Sequence, residues 1–221
     1  MLLRGLEPET LLVHIIILFT AFPVHEFAHA WAANKLGDRT AEYQGRLTLN
    51  PVAHLDLFGS LSMLLLGFGW AKPVPVNPNN FRNVSYKKGM AITSLAGPLS
   101  NILMAYISLI VMKILFYTGV ISSFGHVETI ISYMILINLV LAVFNLLPIP
   151  PLDGSKILAI VLPDRHYYKL MQYERYFFFV LIALMATGVL QTPLNALLKL
   201  MYLGLDFLTK YIDIIMRGIM S

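Results

Sequence analysis

Apolar residues fill the stretch from Leu11 to Val24, broken by His14 and Thr20, and run directly into His25, Glu26 and His29. This pattern predicts a first helix from about Pro8 to Leu36, with Gly37 as its stop signal. At 1.5 Å per residue it measures about 43 Å, enough to span a bilayer with tilt. Similar apolar runs predict helices over about Lys88–Tyr117, Val127–Leu147, Tyr168–Leu190 and Pro193–Arg217. The segment between the first two helices reads differently. GRLTLNP (45–51) alternates and carries Gly and Pro, which predicts a short strand and turn, a small β element at about 44–51. Leu57–Phe68 is apolar but too short to span, so it reads as a re-entrant segment. AKPVPVNPNN (71–80) is too rich in proline for a helix and reads as an extended loop. LPIPPLDG (147–154) breaks the third helix, and a short segment follows to Leu162. The pattern describes an all-α polytopic membrane protein with about five transmembrane helices. It forms a single domain over 1–221, with a core at about 8–162 and C-terminal helices at about 168–217.

Composition agrees. The chain is 57% hydrophobic and 13% charged, with a mean hydropathy of +0.71, whereas soluble domains are nearer half apolar and a quarter charged. Cysteine is absent, which excludes disulfides and thiolate metal sites. The few basic residues are placed by membrane side rather than in a patch, so lipid is expected as a partner and nucleic acid is not. Lys35, Arg39, Arg46, Lys72, Arg82, Lys87 and Lys88 lie between the first two helices; Lys156, Arg165, Lys169 and Arg175 lie between the third and fourth. Residues 118–127 and 188–195 contain no Lys or Arg. By the positive-inside rule the N-terminus is outside and 37–88, 153–175 and the C-terminus are inside. His25 then sits about 18 Å from the cytoplasmic side. Glu7 and Glu9, not a basic stretch, precede the first apolar run, so no cleavable signal is evident.

HEFAH places His25 and His29 one turn apart on one helix face, where two imidazoles can share a tetrahedral ion. Glu26 beside them can accept a proton from water at that ion. Two core histidines and a neutral Glu26 would be the bland alternative, but burying all three without metal or partners is costly. A third ligand must come from elsewhere, since Lys35 occupies the third-histidine position of the extended motif. His14 shares the face but lies about 16 Å away along the axis. His126 reads as outer loop, and His54 and Asp56 as interfacial loop, with His54 kept as an alternative ligand. Asp153 stands at the proline break, where irregular backbone at membrane depth must line protein or a cavity. It reads either as the third ligand or as a helix N-cap.

HEFAHAWAANKLGD (25–38), GRLTLNPVAHLDLFGS (45–60), FGWAKPVPVNP (68–78), AGPLSN (96–101) and FNLLPIPPLDG (144–154) together resemble the site-2 protease family of intramembrane metalloproteases. The resemblance covers about 25–158 and is nearest the minimal branch without PDZ or CBS domains. It implies one Zn2+ per chain held by His25, His29 and Asp153, with Glu26 as general base. It implies that Asn145 helps hold the substrate or its oxyanion and that Pro148 shapes the loop. By the resemblance GRLTLNP would form a membrane-embedded β-hairpin or sheet edge to which an unwound substrate could add as a strand, and Gly97, Pro98 and Asn101 match a packing motif. The implied substrate is a transmembrane protein and the implied location a prokaryotic plasma membrane. Many members carry a helix before the HExxH helix, whereas about seven residues precede it here. The last two helices lie outside the shared pattern, and a gating role or homo-oligomer is left open for them. An inactive scaffold of the same fold and a metal-ion transporter are the alternative readings; a transporter would not need Glu26 beside a ligand.

Overall fold

The computed structural model describes residues 8–66, 69–158 and 160–220. The first predicted helix is present as α1 (Pro8–Ile16) and α2 (Phe22–Lys35), joined without a break by one π-helical turn at Ile17–Ala21. Proline explains the wide turn: Pro23 has no N–H to donate, and its ring would crowd the carbonyl of Phe19 in a regular helix. Short helices α3 (Thr40–Tyr43), α4 (Pro51–His54) and α5 (Leu57–Leu66) follow, then a 3-10 turn at Pro78–Asn80. The segment expected to be re-entrant is helical as far as Leu66; Gly67 and Phe68, its predicted end, lie outside the described residues.

The long helix α6 (Tyr86–Tyr117) is the centre of the bundle. It packs against α2 and against α8 (Gly125–Asn145), which is reached through α7 (Val120–Ser123). The short helix α9 (Asp153–Leu158) also packs on it. Ala21, Ala30, Ala33, Ala105 and Ala142 are fully buried. Small residues let helix backbones approach closely where lipid gives no hydrophobic drive for association. Around α6 a larger core forms from Ala105, Leu109, Ile131, Ile135, Leu139 and Leu205. Among the described residues three helices are long and apolar enough to cross a membrane, Leu11–Lys35, Tyr86–Tyr117 and His126–Asn145.

Three sequence expectations are corrected. No strand forms at 44–51; among the described residues the only β pairing is an isolated antiparallel bridge between Leu55 and Ala71. Side chains satisfy the 44–51 backbone instead. His54 Nε2 donates to Thr48 O at 2.7 Å, Asn50 N donates to Thr48 Oγ1, and Asn50 Oδ1 caps α4 at Val52 N. The expected fourth helix is split at Tyr173 into polar α10 (Asp164–Gln172) and α11 (Glu174–Ala186). The expected fifth is split at Thr209 into α12 (Gln191–Leu208) and α13 (Lys210–Met220). Buried Thr209 turns its hydroxyl back to Leu205 O and Asp206 O at this break. The third correction follows from that break. Lys113 near the end of α6 pairs with Asp206 at 2.9 Å and Asp213 at 2.7 Å, and Arg217 reaches Tyr117. Lys87, at the other end of α6, pairs with Asp164. The C-terminal helix therefore lies at the end of α6 opposite the basic 37–88 segment, not on the same side.

The loop at 71–80 is fixed by Asp38, which is fully buried. Its carboxylate accepts from Thr40 N and Oγ1, Asn77 N and Asn80 Nδ2. Burial pushes its pKa up, but these bonds outweigh it and leave the carboxyl below its ordinary range. A depressed carboxyl stabilises the fold above its unfolded pKa, and that stability is lost as pH falls through the folded value. Asp38→Asn should cost about 1–3 kcal/mol at neutral pH. The difference in thermal stability between wild type and variant should shrink below about pH 4, as measured by unfolding in detergent across that range.

Candidate functional site

The site is assembled from two elements, α2 and α9, that both pack on α6. Helix geometry puts His25 and His29 of α2 one above the other, and their rings meet edge to face at 87°. Asp153, the first residue of α9, comes in from the far side of the proline break. The three buried side chains converge. The two Nε2 atoms are 3.0 Å apart, and Asp153 Oδ2 lies 3.2 Å from each. Of the two readings of Asp153, the geometry points its oxygen at both imidazoles.

The other face of each imidazole decides its chemistry. His29 Nδ1 lies 2.7 Å from Thr93 O, a backbone carbonyl that can only accept, so Nδ1 carries the hydrogen. His25 Nδ1 lies 2.6 Å from Asn101 Oδ1, again an acceptor. With each Nδ1 hydrogen so placed, a neutral ring presents its Nε2 lone pair to the carboxylate oxygen. A proton could join only one pair of these three acceptors, whereas one cation serves all three. A tetrahedral zinc ion with donors at about 2.0–2.1 Å has donor–donor edges of about 3.3–3.4 Å, close to the observed triangle. The donor set of two imidazoles and a carboxylate suits zinc and leaves a fourth position open.

Glu26 does not join the triangle. Its Oε2 accepts the backbone N–H of Val74 at 2.9 Å, which ties the loop at 71–77 to the site. The same loop is held by Lys72 N on His54 O and by Arg46 Nη2 on Lys72 O. Burial holds the Arg46 guanidinium below its usual pKa, against the pull of the Glu26 carboxylate.

The remaining candidates fall elsewhere. Asn145 stands in the last turn of α8 with Nδ2 bonded to Leu141 O at 3.0 Å. His54 is buried with Nε2 committed to Thr48 O, so it packs the loop rather than joining the triangle. Asp56 caps α5 by accepting Gly59 N. His14 is buried in α1, outside the cluster. His126 begins the third candidate span at the far end of the bundle.

The sequence reading treated Gly97 and Asn101 as packing residues, and both touch the ligands. A Cβ at Gly97 would lie 2.5 Å from His29 Cε1 and Nε2 and 2.6 Å from His25 Cε1. Thr93, Gly97 and Asn101 recur every four residues, so one buried stripe of α6 faces the HExxH helix. That spacing, matching the spacing of the two histidines, was the available signal.

The sequence model of peptidase family M50 matches residues 114–188. The chain is 41% identical to "Putative zinc metalloprotease YwhC" of Bacillus subtilis (strain 168) over 197 residues, covering 86% of this chain and 89% of that protein. It is 29% identical to the Rip2 zinc metalloprotease homologue of Mycolicibacterium smegmatis (strain ATCC 700084 / mc(2)155), over 83% of this chain and 69% of that one. A third relative, "Zinc metalloprotease MJ0392" of Methanocaldococcus jannaschii, is 27% identical over 71% of this chain and 36% of its own length. No solved structure matches the chain.

Gly97→Ala should displace the imidazoles while leaving the bundle intact. Zinc affinity of the purified protein, measured by chelator competition, should fall by about tenfold or more, with helix content unchanged by circular dichroism.

Proposed function

Because the chain belongs to peptidase family M50, the site-2 proteases, we propose that it is an intramembrane zinc endopeptidase that cuts transmembrane segments of other membrane proteins. The observation that carries this reading is the convergence of three buried acceptor atoms beside a carboxylate that stays outside the triangle. His25, His29 and Asp153 hold the metal in this reading, one ion per chain. When bound, zinc supplies Lewis acidity that lowers the pKa of a coordinated water and polarises a carbonyl.

The chain's own residues do the rest. Glu26 takes a proton from the attacking water and passes it to the leaving amine. Val74 N–H holds the Glu26 carboxylate toward the loop, and Nδ1–H bonds to Asn101 and Thr93 keep the two ligand rings from turning. Asn145, at the end of α8, is assigned to the substrate backbone or its oxyanion. The charges favour the arrangement: a divalent cation and the carboxylates of Asp153 and Glu26 sum to zero within an apolar span. His25 stands ten residues before Lys35, so about 15 Å from that end of its helix. This supports hydrolysis within the membrane, nearer the basic 37–88 side, which is the cytoplasmic side if Lys and Arg set orientation. A helical substrate must unwind to present a carbonyl. Helices α11 and α12 are proposed to enter the bilayer beside the three long spans in one domain, with only one of them crossing it, because the C-terminal helix lies at the end of α6 opposite the basic 37–88 segment. Self-association through them is part of the same proposal.

The test is metal content together with cleavage of a panel of transmembrane substrates by the purified full chain. Wild type and Glu26→Gln should each bind one zinc, and the variant should lose about 10²–10⁴-fold in kcat. Equal activity would remove Glu26 as the base. Zinc binding without cleavage by wild type across the panel would favour the inactive scaffold, and zinc flux into liposomes would favour a transporter. Val74→Pro deletes the N–H on Glu26 while leaving Glu26, His25, His29 and Asp153 unchanged. It should lower kcat by about tenfold or more while zinc content stays at the wild-type level.

A further inference from the structure

Behind His25 the hydrogen-bond pattern continues across two more helices. Asn101 of α6 and Asn138 of α8 are both fully buried, in the part of the bundle that carries the longest apolar helices. Asn138 Nδ2 lies 2.8 Å from Met134 O. Asn101 Nδ2 lies 2.9 Å from Asn138 Oδ1 and 3.4 Å from Ala21 O. Asn101 Oδ1 lies 2.6 Å from His25 Nδ1. Two buried amides in an apolar bundle are expensive unless their polar atoms are matched, and here they are matched in a chain.

The chain has a single consistent direction. Met134 O can only accept, so the Asn138 amide must turn its NH2 toward it and its oxygen toward Asn101. Asn101 then faces two acceptors, Asn138 Oδ1 and Ala21 O, and must offer its NH2 to both. Its oxygen is left facing His25, and only a ring with hydrogen on Nδ1 answers an oxygen at that distance. A ring with that tautomer carries its lone pair on Nε2, in the triangle with His29 and Asp153. The order is set by two backbone carbonyls that cannot reverse, and it ends at a metal ligand.

We propose that Asn138 and Asn101 are positioning residues that fix the tautomer and rotation of His25 and thereby set the zinc affinity of the site. The inference rests on the metal reading above. His29 has no such dependence, because a backbone carbonyl orients it directly. The two histidines are therefore unequal, and side-chain substitutions away from the site should act through His25.

The experiment is zinc affinity of the purified full chain, by chelator competition, for four variants whose folding is checked by gel filtration in detergent. Asn101→Leu removes the acceptor and should weaken zinc binding by about 10- to 100-fold. Asn101→Asp keeps an acceptor for His25 Nδ1–H and should stay within about threefold of wild type. Asn138→Leu and Asn138→Asp both lose the bond to Met134 O, but only the aspartate still accepts from Asn101. The relay requires Asn138→Leu to bind zinc several-fold more weakly than Asn138→Asp. Equal affinities in that pair, or wild-type affinity in a folded Asn101→Leu, would overturn the proposal and leave the asparagines as packing residues. Absence of zinc binding by wild type would instead overturn the metal site itself.

Discussion

Three acceptor atoms about 3 Å apart in an apolar helix bundle are the constraint on which the rest of the structure depends. Without a cation the lone pairs of His25, His29 and Asp153 repel one another in a medium that screens poorly. The surrounding protein is built so that they cannot move apart. Thr93 O and Asn101 Oδ1 turn the rings inward, and Gly97 leaves the space they occupy. The prolines before Asp153 interrupt α8 and let α9 start at the height of the histidines. Membrane depth makes this arrangement effective: few waters compete for the donors, and the Thr93 carbonyl and the Asn101 amide beside them are drawn into service.

The same economy governs the loop at 71–80. Its prolines carry no N–H to match, and several of its remaining N–H groups are taken one at a time. Lys72 N goes to His54 O, Val74 N to Glu26 and Asn77 N to Asp38. One of these bonds reaches the proposed catalytic carboxylate. The loop is thus part of the site, although it lies some fifty residues from the HExxH motif in sequence, and rearrangement there would be felt at Glu26.

Much of this was legible from the residues. HEFAH named its own helix face, because spacing of four is a geometric property of any α-helix. Three of the spans followed from apolar length alone. Asp153 was singled out because a carboxylate at a proline break at membrane depth reads as a ligand or as a helix N-cap. The partners of the histidines were not legible in the same way. Asn101 lies seventy-six residues from His25, and a polar residue in a packed helix has no local signature of what it faces. The expected strand at 44–51 failed because alternation signals a pleated face only when another strand supplies the ladder; here Thr48 O and Val52 N found side chains instead. The C-terminal segment misled for a related reason. Its hydropathy hid the break at Thr209, and the carboxylates of Asp206 and Asp213 are drawn to Lys113 at the far end of α6.

X-ray absorption at the zinc edge of the purified full chain tests the central claim most directly. The account predicts a low-coordinate site with two imidazole nitrogens and one or two oxygens at about 2.0–2.1 Å, and loss of one imidazole shell in either His25→Ala or His29→Ala. A spectrum of oxygen donors without imidazole, or one that neither histidine substitution changes, would contradict it.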